Sequence, residues 1–366
     1  MVTSSSSASI LLRPHDYQWC WYSSAANEGE AKWQKYMDVE NEIIEDAYNE
    51  KKTKFELDGN YMIDLEHLIE YKKGDCSKRR YIKRGQRDSL QSSVYLRQER
   101  FSLPITPVNS TVVEQVQHVT DALRHIREDG NIFSAYCNLI ENEKTFADIV
   151  EEAANGIIKE GTTIEQAHTA EWISKQLIAV KNYGTNIKID RHSNTRVPLY
   201  IGQTCVSLYS KSTFWFRLIN QTLRDYHTVS LEQVKTLGPF CWLLQKFLYD
   251  IHRTDVLTVY RGVELDYQQR KQFMKEAMKF TFFTSTSKNR SLAEMFGNTL
   301  LVINLEGEIF GYTYYPAAGA DISTLSNFPE EEEFLIWPGT YFQFVDHEYN
   351  SNKQQHIIYL KIQGGG

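Results

Sequence analysis

The stretch Phe328-Pro329-Glu330-Glu331-Glu332-Glu333-Phe334-Leu335-Ile336-Trp337-Pro338 sets a run of carboxylates directly against a strongly apolar segment. An acidic surface loop leading into a buried strand is the plain reading. If the strand begins inside the run, side chains at i and i+2 share a face. Glu331 and Glu333 then point one way, and Glu330 and Glu332 the other. Two carboxylates side by side can hold different protonation states or do different jobs.

Two earlier segments offer counterparts. In Val256-Leu257-Thr258-Val259-Tyr260-Arg261-Gly262-Val263, alternation puts Arg261 on the face of Leu257, Val259 and Val263. A guanidinium ending an apolar row needs an anion, either a glutamate in a salt bridge or a phosphate. Gly262 lets a ligand approach the backbone. In Phe280-Thr281-Phe282-Phe283-Thr284-Ser285-Thr286-Ser287, residues Phe283, Ser285 and Ser287 share a face, ahead of a helix expected over 288–296. Ser287 or Asn289 as cap, with Ser291 and Glu294 as a capping box, is ordinary strand-to-helix chemistry.

The 366 residues suggest two or three domains, and 42 % hydrophobic residues supply a sizeable core. Forty-seven acids against forty bases leave a net charge of −7, which argues against generic nucleic-acid binding. No apolar run approaches the roughly 18 residues a membrane span requires, and no secretory leader is visible. The five cysteines are scattered singly, without a C-x-x-C pair, so reduced thiols and an intracellular location, cytoplasmic or nuclear, are expected. The histidines show no H-x-x-x-H or H-E-x-x-H grouping, so no metal site is expected. No G-x-G-x-x-G follows a strand.

Along the chain, residues 1–9 read as a disordered serine-rich tail and 10–87 as a small domain. That domain has a helix at 41–48, a strand at 61–65 after the turn Asp58-Gly59-Asn60, and a basic end from Lys72 to Arg87. Residues 88–110, with Pro104 and Pro107, read as a connecting arm. Residues 111–252 are mostly helical: one helix is marked by Val112, Val116, Val119, Leu123 and Ile126, and others lie near 144–159, 165–181, 212–226 and 238–252. The last is set to start at the breaker Gly238-Pro239. From 255 onward short β-rich runs follow, at 256–263, 280–287, 300–305, 334–337, 341–345 and 357–362. Helices first and strands later argue an α+β fold.

In order, these strands resemble the Arg-Ser-Glu signature of arginine-specific mono-ADP-ribosyltransferases, a group that includes vertebrate ecto-enzymes and bacterial toxins. Further segments agree: Leu208-Tyr209-Ser210 with Phe214 and Leu218-Ile219-Asn220-Gln221-Thr222-Leu223-Arg224, then Ala293-Glu294-Met295-Phe296-Gly297, then the aromatic-x-x-Glu-x-Glu pattern beginning at Phe328. Trp337 stands where family members often carry Pro, and Pro338 follows it. The resemblance implies an ADP-ribosyltransferase fold of two packed, roughly perpendicular sheets preceded by helices, over 111–366. It implies NAD as co-substrate and an arginine-bearing acceptor protein. Glu333 is cast as the carboxylate on the nicotinamide-ribose hydroxyl, favouring an oxocarbenium-like sugar. Ser285 orients Glu333 and the ribose, Arg261 holds the pyrophosphate, Gly262 meets the carboxamide and Phe296 stacks on nicotinamide. Glu331 orients the acceptor guanidinium and takes its proton, and Phe328 packs against the acceptor.

Trp21, Trp33 and Glu45, with the helix and strand downstream, resemble a WWE domain, a half-barrel sheet with one helix that in several members binds ADP-ribose units of poly-ADP-ribose. Tyr48, Tyr61, Arg79, Arg80 and Arg84 are the candidates to stack on adenine or pair with phosphate. Glu70 stands where many members place a Gln. A protein-interaction module with a solvated basic face is the competing reading. For the whole chain the rivals are an NAD glycohydrolase, against which Glu331 and Phe328 speak, and a non-catalytic ADP-ribose reader, against which Arg261, Ser285 and Glu333 speak.

Overall fold

Tyr17–Ser23 (β1) turns Tyr17 and Trp19 inward and pairs with Lys32–Lys35 (β2) on one side. The helix Asp38–Asn49 (α1) follows, then Lys54–Leu57 (β3), Tyr61–Asp64 (β4), Ile69–Lys72 (β5) and Asp75–Gln86 (β6). The strands form one antiparallel sheet in the order β2-β1-β6-β5-β4-β3. It closes on Ile44 of α1, with Tyr17, Trp19, Tyr36, Leu57, Ile63 and Ile82. The β3–β4 turn runs through Gly59 and Asn60, both at positive φ. In this computed structural model the residues described are 10–12, 17–23, 32–86, 100, 108–109, 123–124, 126, 131–141, 143–189, 195–253, 255–275, 278–309, 312–314 and 318–363. The serine-rich tail, most of the connecting arm and most of the helix expected around 112–126 lie outside them.

The strand Val108–Asn109 (β7) leads to the helices Ile132–Cys137 (α2), Phe146–Thr163 (α3), Ala167–Val180 (α4), Leu199–Ser210 (α5), Phe214–Arg224 (α6) and Leu231–Ile251 (α7). Capping boxes start α3, through Thr145 and Asp148, and α7, through Ser230 and Gln233. The box at Ser230 corrects the expected start of α7. Gly238-Pro239 lies within the helix, which runs through it because its residues from Val234 to Leu248 are largely buried. Packing there outweighs the hydrogen bond that Pro239 cannot make. Among the described residues no helix is long and apolar enough to cross a membrane.

The remaining elements are Thr258–Val263 (β8), Tyr267–Gln272 (α8), Met278–Phe280 (β9), Thr284–Ser287 (β10), Arg290–Ala293 (α9), Thr299–Asn304 (β11), Gly307–Ile309 (β12), Tyr312–Tyr314 (β13), Gly319–Asp321 (β14), Glu333–Ile336 (β15), Thr340–Asn350 (β16) and Gln355–Gln363 (β17). Nine strands join in the order β14-β15-β10-β8-β11-β17-β16-β9-β7, and β12 pairs with β13. The run expected as one strand over 280–287 is two. β9 pairs with β16 and β10 with β15, so residues 281–283 cross between opposite halves of the order. The helix expected over 288–296 is a single turn capped by Asn289, and Glu294 pairs with Arg290 and Lys353 rather than capping. One continuous core joins α2 to α7 with one side of the sheet, and Ile10 and Val39 reach into it.

The small domain docks on the helices through acids. Asp38, Glu42 and Asp46 lie at i, i+4 and i+8 on α1, hence on one face. Asp38 accepts from Ser212 N (2.8 Å), Glu42 pairs with Lys211 (3.2 Å) and Asp46 accepts from Trp172 Nε1 (2.9 Å). Asp58 accepts from the backbone N–H groups of His168 and Thr169 at the start of α4, both at 2.9 Å. The N-cap residue Gln166 makes no side-chain capping bond, so the other domain supplies the acceptor.

Candidate active site

The three strands carrying the motif are neighbours. β10 lies between β15 and β8, and Ser287 faces Glu333 on one side and Tyr260 on the other. Arg261, Ser285, Glu331 and Glu333 are all buried, with Glu333 at 0 % exposure. Glu331 and Glu333 do turn inward together, but not by strand alternation. β15 begins at Glu333, Pro329–Glu331 is a 3-10 turn, and Glu332 between them adopts a left-handed φ of 47°. That residue interrupts the strand alternation and is less buried than the two acids flanking it. The loop is clamped to the end of β10: Ser287 Oγ donates to the Glu331 carbonyl (2.7 Å), Lys288 N to the Glu332 carbonyl (3.0 Å) and Asn289 Nδ2 to Glu332 Oε1 (3.1 Å).

Arg261 Nη1 donates to the Ser285 carbonyl (2.6 Å) and Nη2 to the Arg100 carbonyl (3.3 Å). Burial first, then the nearby charges of Arg224 and Arg100, lowers this guanidinium to about 9, so it stays a cation at neutral pH. At Gly262 a Cβ would stand 2.0 Å from the Ala293 carbonyl oxygen and 2.3 Å from that of Phe296. The missing side chain is what lets the turn after α9 lie on β8 and bring the buried Phe296 against Gly262. Phe328 is 1 % exposed, so here it offers no surface to an acceptor.

Sequence reading missed Arg100. It is 2 % exposed, and its Nε donates to Ser285 Oγ (3.0 Å) and Glu333 Oε1 (3.1 Å), its Nη2 to Glu333 Oε1 (2.9 Å) and its Nη1 to the Tyr209 carbonyl (2.8 Å). No periodicity marks an arginine in a serine- and proline-bearing arm, so nothing in the sequence signalled it. The Tyr209 hydroxyl accepts from Asn220 Nδ2 at 2.8 Å, which ties α5 to α6 and gives a physical reason for both residues of that motif. Asn327 Nδ2 donates to the Ser207 carbonyl and Ser210 Oγ, holding the glutamate loop to α5.

In the small domain the five candidates separate. The guanidinium of Arg80 stacks on Trp21 and Tyr61 and pairs with Glu70 at 3.0 Å. Arg84 lies over Tyr17 and Tyr48 and forks onto Glu45 at 2.9 and 2.8 Å. Arg79 and Arg80 both line an open cavity of about 560 Å³, together with Lys54, Asp64, Tyr71 and Tyr81. The Trp19 indole donates to Glu45 Oε2 at 2.9 Å.

Helices leading into this strand order, with a six-stranded antiparallel sheet and one helix ahead of them, define a WWE domain joined to an ADP-ribosyltransferase fold. Residues 144–364 match the family described as NAD:arginine ADP-ribosyltransferase, and residues 17–84 match the WWE domain. The chain belongs to that transferase family. Similar solved structures include the ADP-ribosyltransferase HopU1 of Pseudomonas syringae pv. tomato, at 20 % identity over 47 % of this chain and 80 % of that one, with a TM-score of 0.37. The type III effector XopAI of Xanthomonas axonopodis pv. citri is 14 % identical over 69 % of this chain and 95 % of that one, with a TM-score of 0.43. C3stau2 of S. aureus, solved with NAD, is 18 % identical over 45 % and 87 %, with a TM-score of 0.35. A comparison with curated protein sequences found no match.

Proposed function

We propose that the chain transfers ADP-ribose from NAD to arginine side chains of acceptor proteins, releasing nicotinamide. The observation that carries this reading is the convergence of Arg261, Ser285 and Glu333 on three adjacent strands, with Glu333 sealed from water. The nicotinamide–ribose bond already has a cationic leaving group, so the reaction needs no general acid. It needs stabilisation of the sugar cation in a dry site, where a fixed carboxylate acts most strongly. Glu333 supplies that charge through the ribose hydroxyl, and Ser285 orients it. Arg261 holds the pyrophosphate, Gly262 meets the carboxamide through its backbone, and Phe296 stacks on nicotinamide. As the C–N bond to nicotinamide breaks, a guanidine nitrogen of the acceptor bonds to the ribose carbon and its proton passes to Glu331.

The catalytic unit in this reading spans 111–366 and the small domain 10–87, joined by the arm 88–110. Poly-ADP-ribose binding by the small domain would use Tyr48, Tyr61, Arg79, Arg80 and Arg84, yet Glu70 and Glu45 already pair with Arg80 and Arg84. That observation favours a protein partner. An intracellular setting fits the unpaired thiols of Cys20, Cys205 and Cys241. The test is incubation with labelled NAD, with and without agmatine. An agmatine adduct supports the transferase, free ADP-ribose alone indicates a glycohydrolase, and neither indicates a reader.

A further inference from the structure

Arg100 lies in the sequence between the two matched domains, and its guanidinium sits inside the cleft. It bonds Ser285 Oγ and Glu333 Oε1 at once, and the Arg100–Glu333 pair is sealed on both sides, with side-chain exposures of 1 % and 0 %. Its plane lies over the rings of Phe216 (4.5 Å) and Tyr209 (4.9 Å). Its own carbonyl accepts from Arg261. One residue thus engages the three groups to which the proposed function assigns NAD. A planar cation on Glu333 also matches, in charge, the sugar cation this carboxylate is set to stabilise.

We propose that Arg100 is an internal occupant of the nicotinamide-ribose subsite, so that the chain in this arrangement inhibits itself and NAD enters only when Arg100 withdraws. This rests on the assignment of Glu333 and Ser285 to NAD given above. Both cannot hold at once, because the guanidinium fills the space against Glu333 Oε1 and Ser285 Oγ that the ribose would need. Apparent affinity for NAD is then the intrinsic affinity reduced by the fraction of chains with Arg100 withdrawn.

The experiment uses the full chain as wild type, Arg100→Ala and Arg100→Lys. It measures binding of the non-hydrolysable analogue carba-NAD by calorimetry, steady-state transfer to agmatine, and the melting temperature. With Arg100 withdrawn in about a tenth of chains or fewer, Arg100→Ala tightens carba-NAD binding and lowers the KM for NAD about tenfold or more, with kcat unchanged. Arg100→Lys falls between, since an ammonium lacks the fork that bridges Ser285 and Glu333. An Arg100→Ala protein that melts normally with an unmoved KM overturns the proposal. So does one that loses kcat at constant KM, which would make Arg100 a positioning residue for Glu333. Glu333→Ala, assayed in parallel, separates the two levels. Wild-type turnover in that variant removes the NAD assignment itself, whereas an inactive variant beside an unmoved Arg100→Ala refutes self-inhibition alone. If Arg100→Ala does not fold, a structure of the wild type with carba-NAD decides. Arg100 displaced from Glu333 supports the proposal, and Arg100 still bonded to it beside the analogue overturns it.

Discussion

Glu42 of α1 and Lys211, just past the end of α5, form an ion pair across the two domains in which each side chain is only 4 % exposed. Glu42 also accepts from the Tyr17 hydroxyl at 2.9 Å, so the bond reaches from the small core of one domain to the helices of the other. Truncating one partner of such a pair strands a buried charge, which costs about 3–5 kcal/mol, while replacing both with apolar groups of similar volume is often neutral. Glu42→Ala is therefore expected to lower the urea midpoint sharply, and Glu42→Leu with Lys211→Met to recover most of the loss. Equal destabilisation in both would show that the pair does not act as a unit.

Glu331 and Glu333 are both buried, on either side of a left-handed Glu332. The proposed roles divide them. Glu333→Ala is expected to lose both transfer and NAD hydrolysis, by about 10²–10³-fold or more, as for removal of a preorganised electrostatic group. Glu331→Ala is expected to lose transfer to agmatine while keeping hydrolysis. Wild-type turnover on agmatine in Glu333→Ala, or matched losses of both activities in Glu331→Ala, would contradict this division.

The strands at 258–263, 284–287 and 333–336 were legible because alternation and β-branched composition mark them locally. What was not legible depends on distant partners. Nothing local to α1 names the partners of its acids, and Asp38, Glu42 and Asp46 meet Ser212, Lys211 and Trp172. Pro239 reads as a breaker, yet the surrounding core carries the helix past it. Arg100 became visible only once the fold closed around it. The inward pairing of Glu331 and Glu333 was expected for a reason that proved wrong, since the turn at Glu332 and not the strand period produces it.

Gly262 offers a direct check on the packing of the cleft. A methyl there meets two backbone carbonyl oxygens, which cannot swing aside as a flexible side chain would. Gly262→Ala is expected to cost about 1–3 kcal/mol or more through overpacking, and to move Phe296 away from β8. Chemical denaturation measures the first effect and the KM for NAD the second. An unchanged midpoint would mean that the turn after α9 lies elsewhere in solution.

Glu70 provides a test in pH. It is buried and accepts from the Tyr36 hydroxyl at 3.1 Å and from Arg80 at 3.0 Å. Burial nonetheless raises its pKa above the ordinary value of 4.5, outweighing Arg80 and Tyr36, which lower it. Folded chains then take up this proton before unfolded ones do, so the contribution is largest below the unfolded value and is lost as pH rises through the folded one. Glu70→Gln removes that dependence, along with part of the upward push that Glu70 exerts on the neighbouring Glu40. The urea midpoint of the wild type should therefore gain on that of Glu70→Gln as pH falls from 7 toward about 4.5. Other carboxylates titrate alike in both proteins and cancel in the difference. A wild type that instead loses ground to the variant over this range would mean that the Arg80 pair, and not burial, governs Glu70.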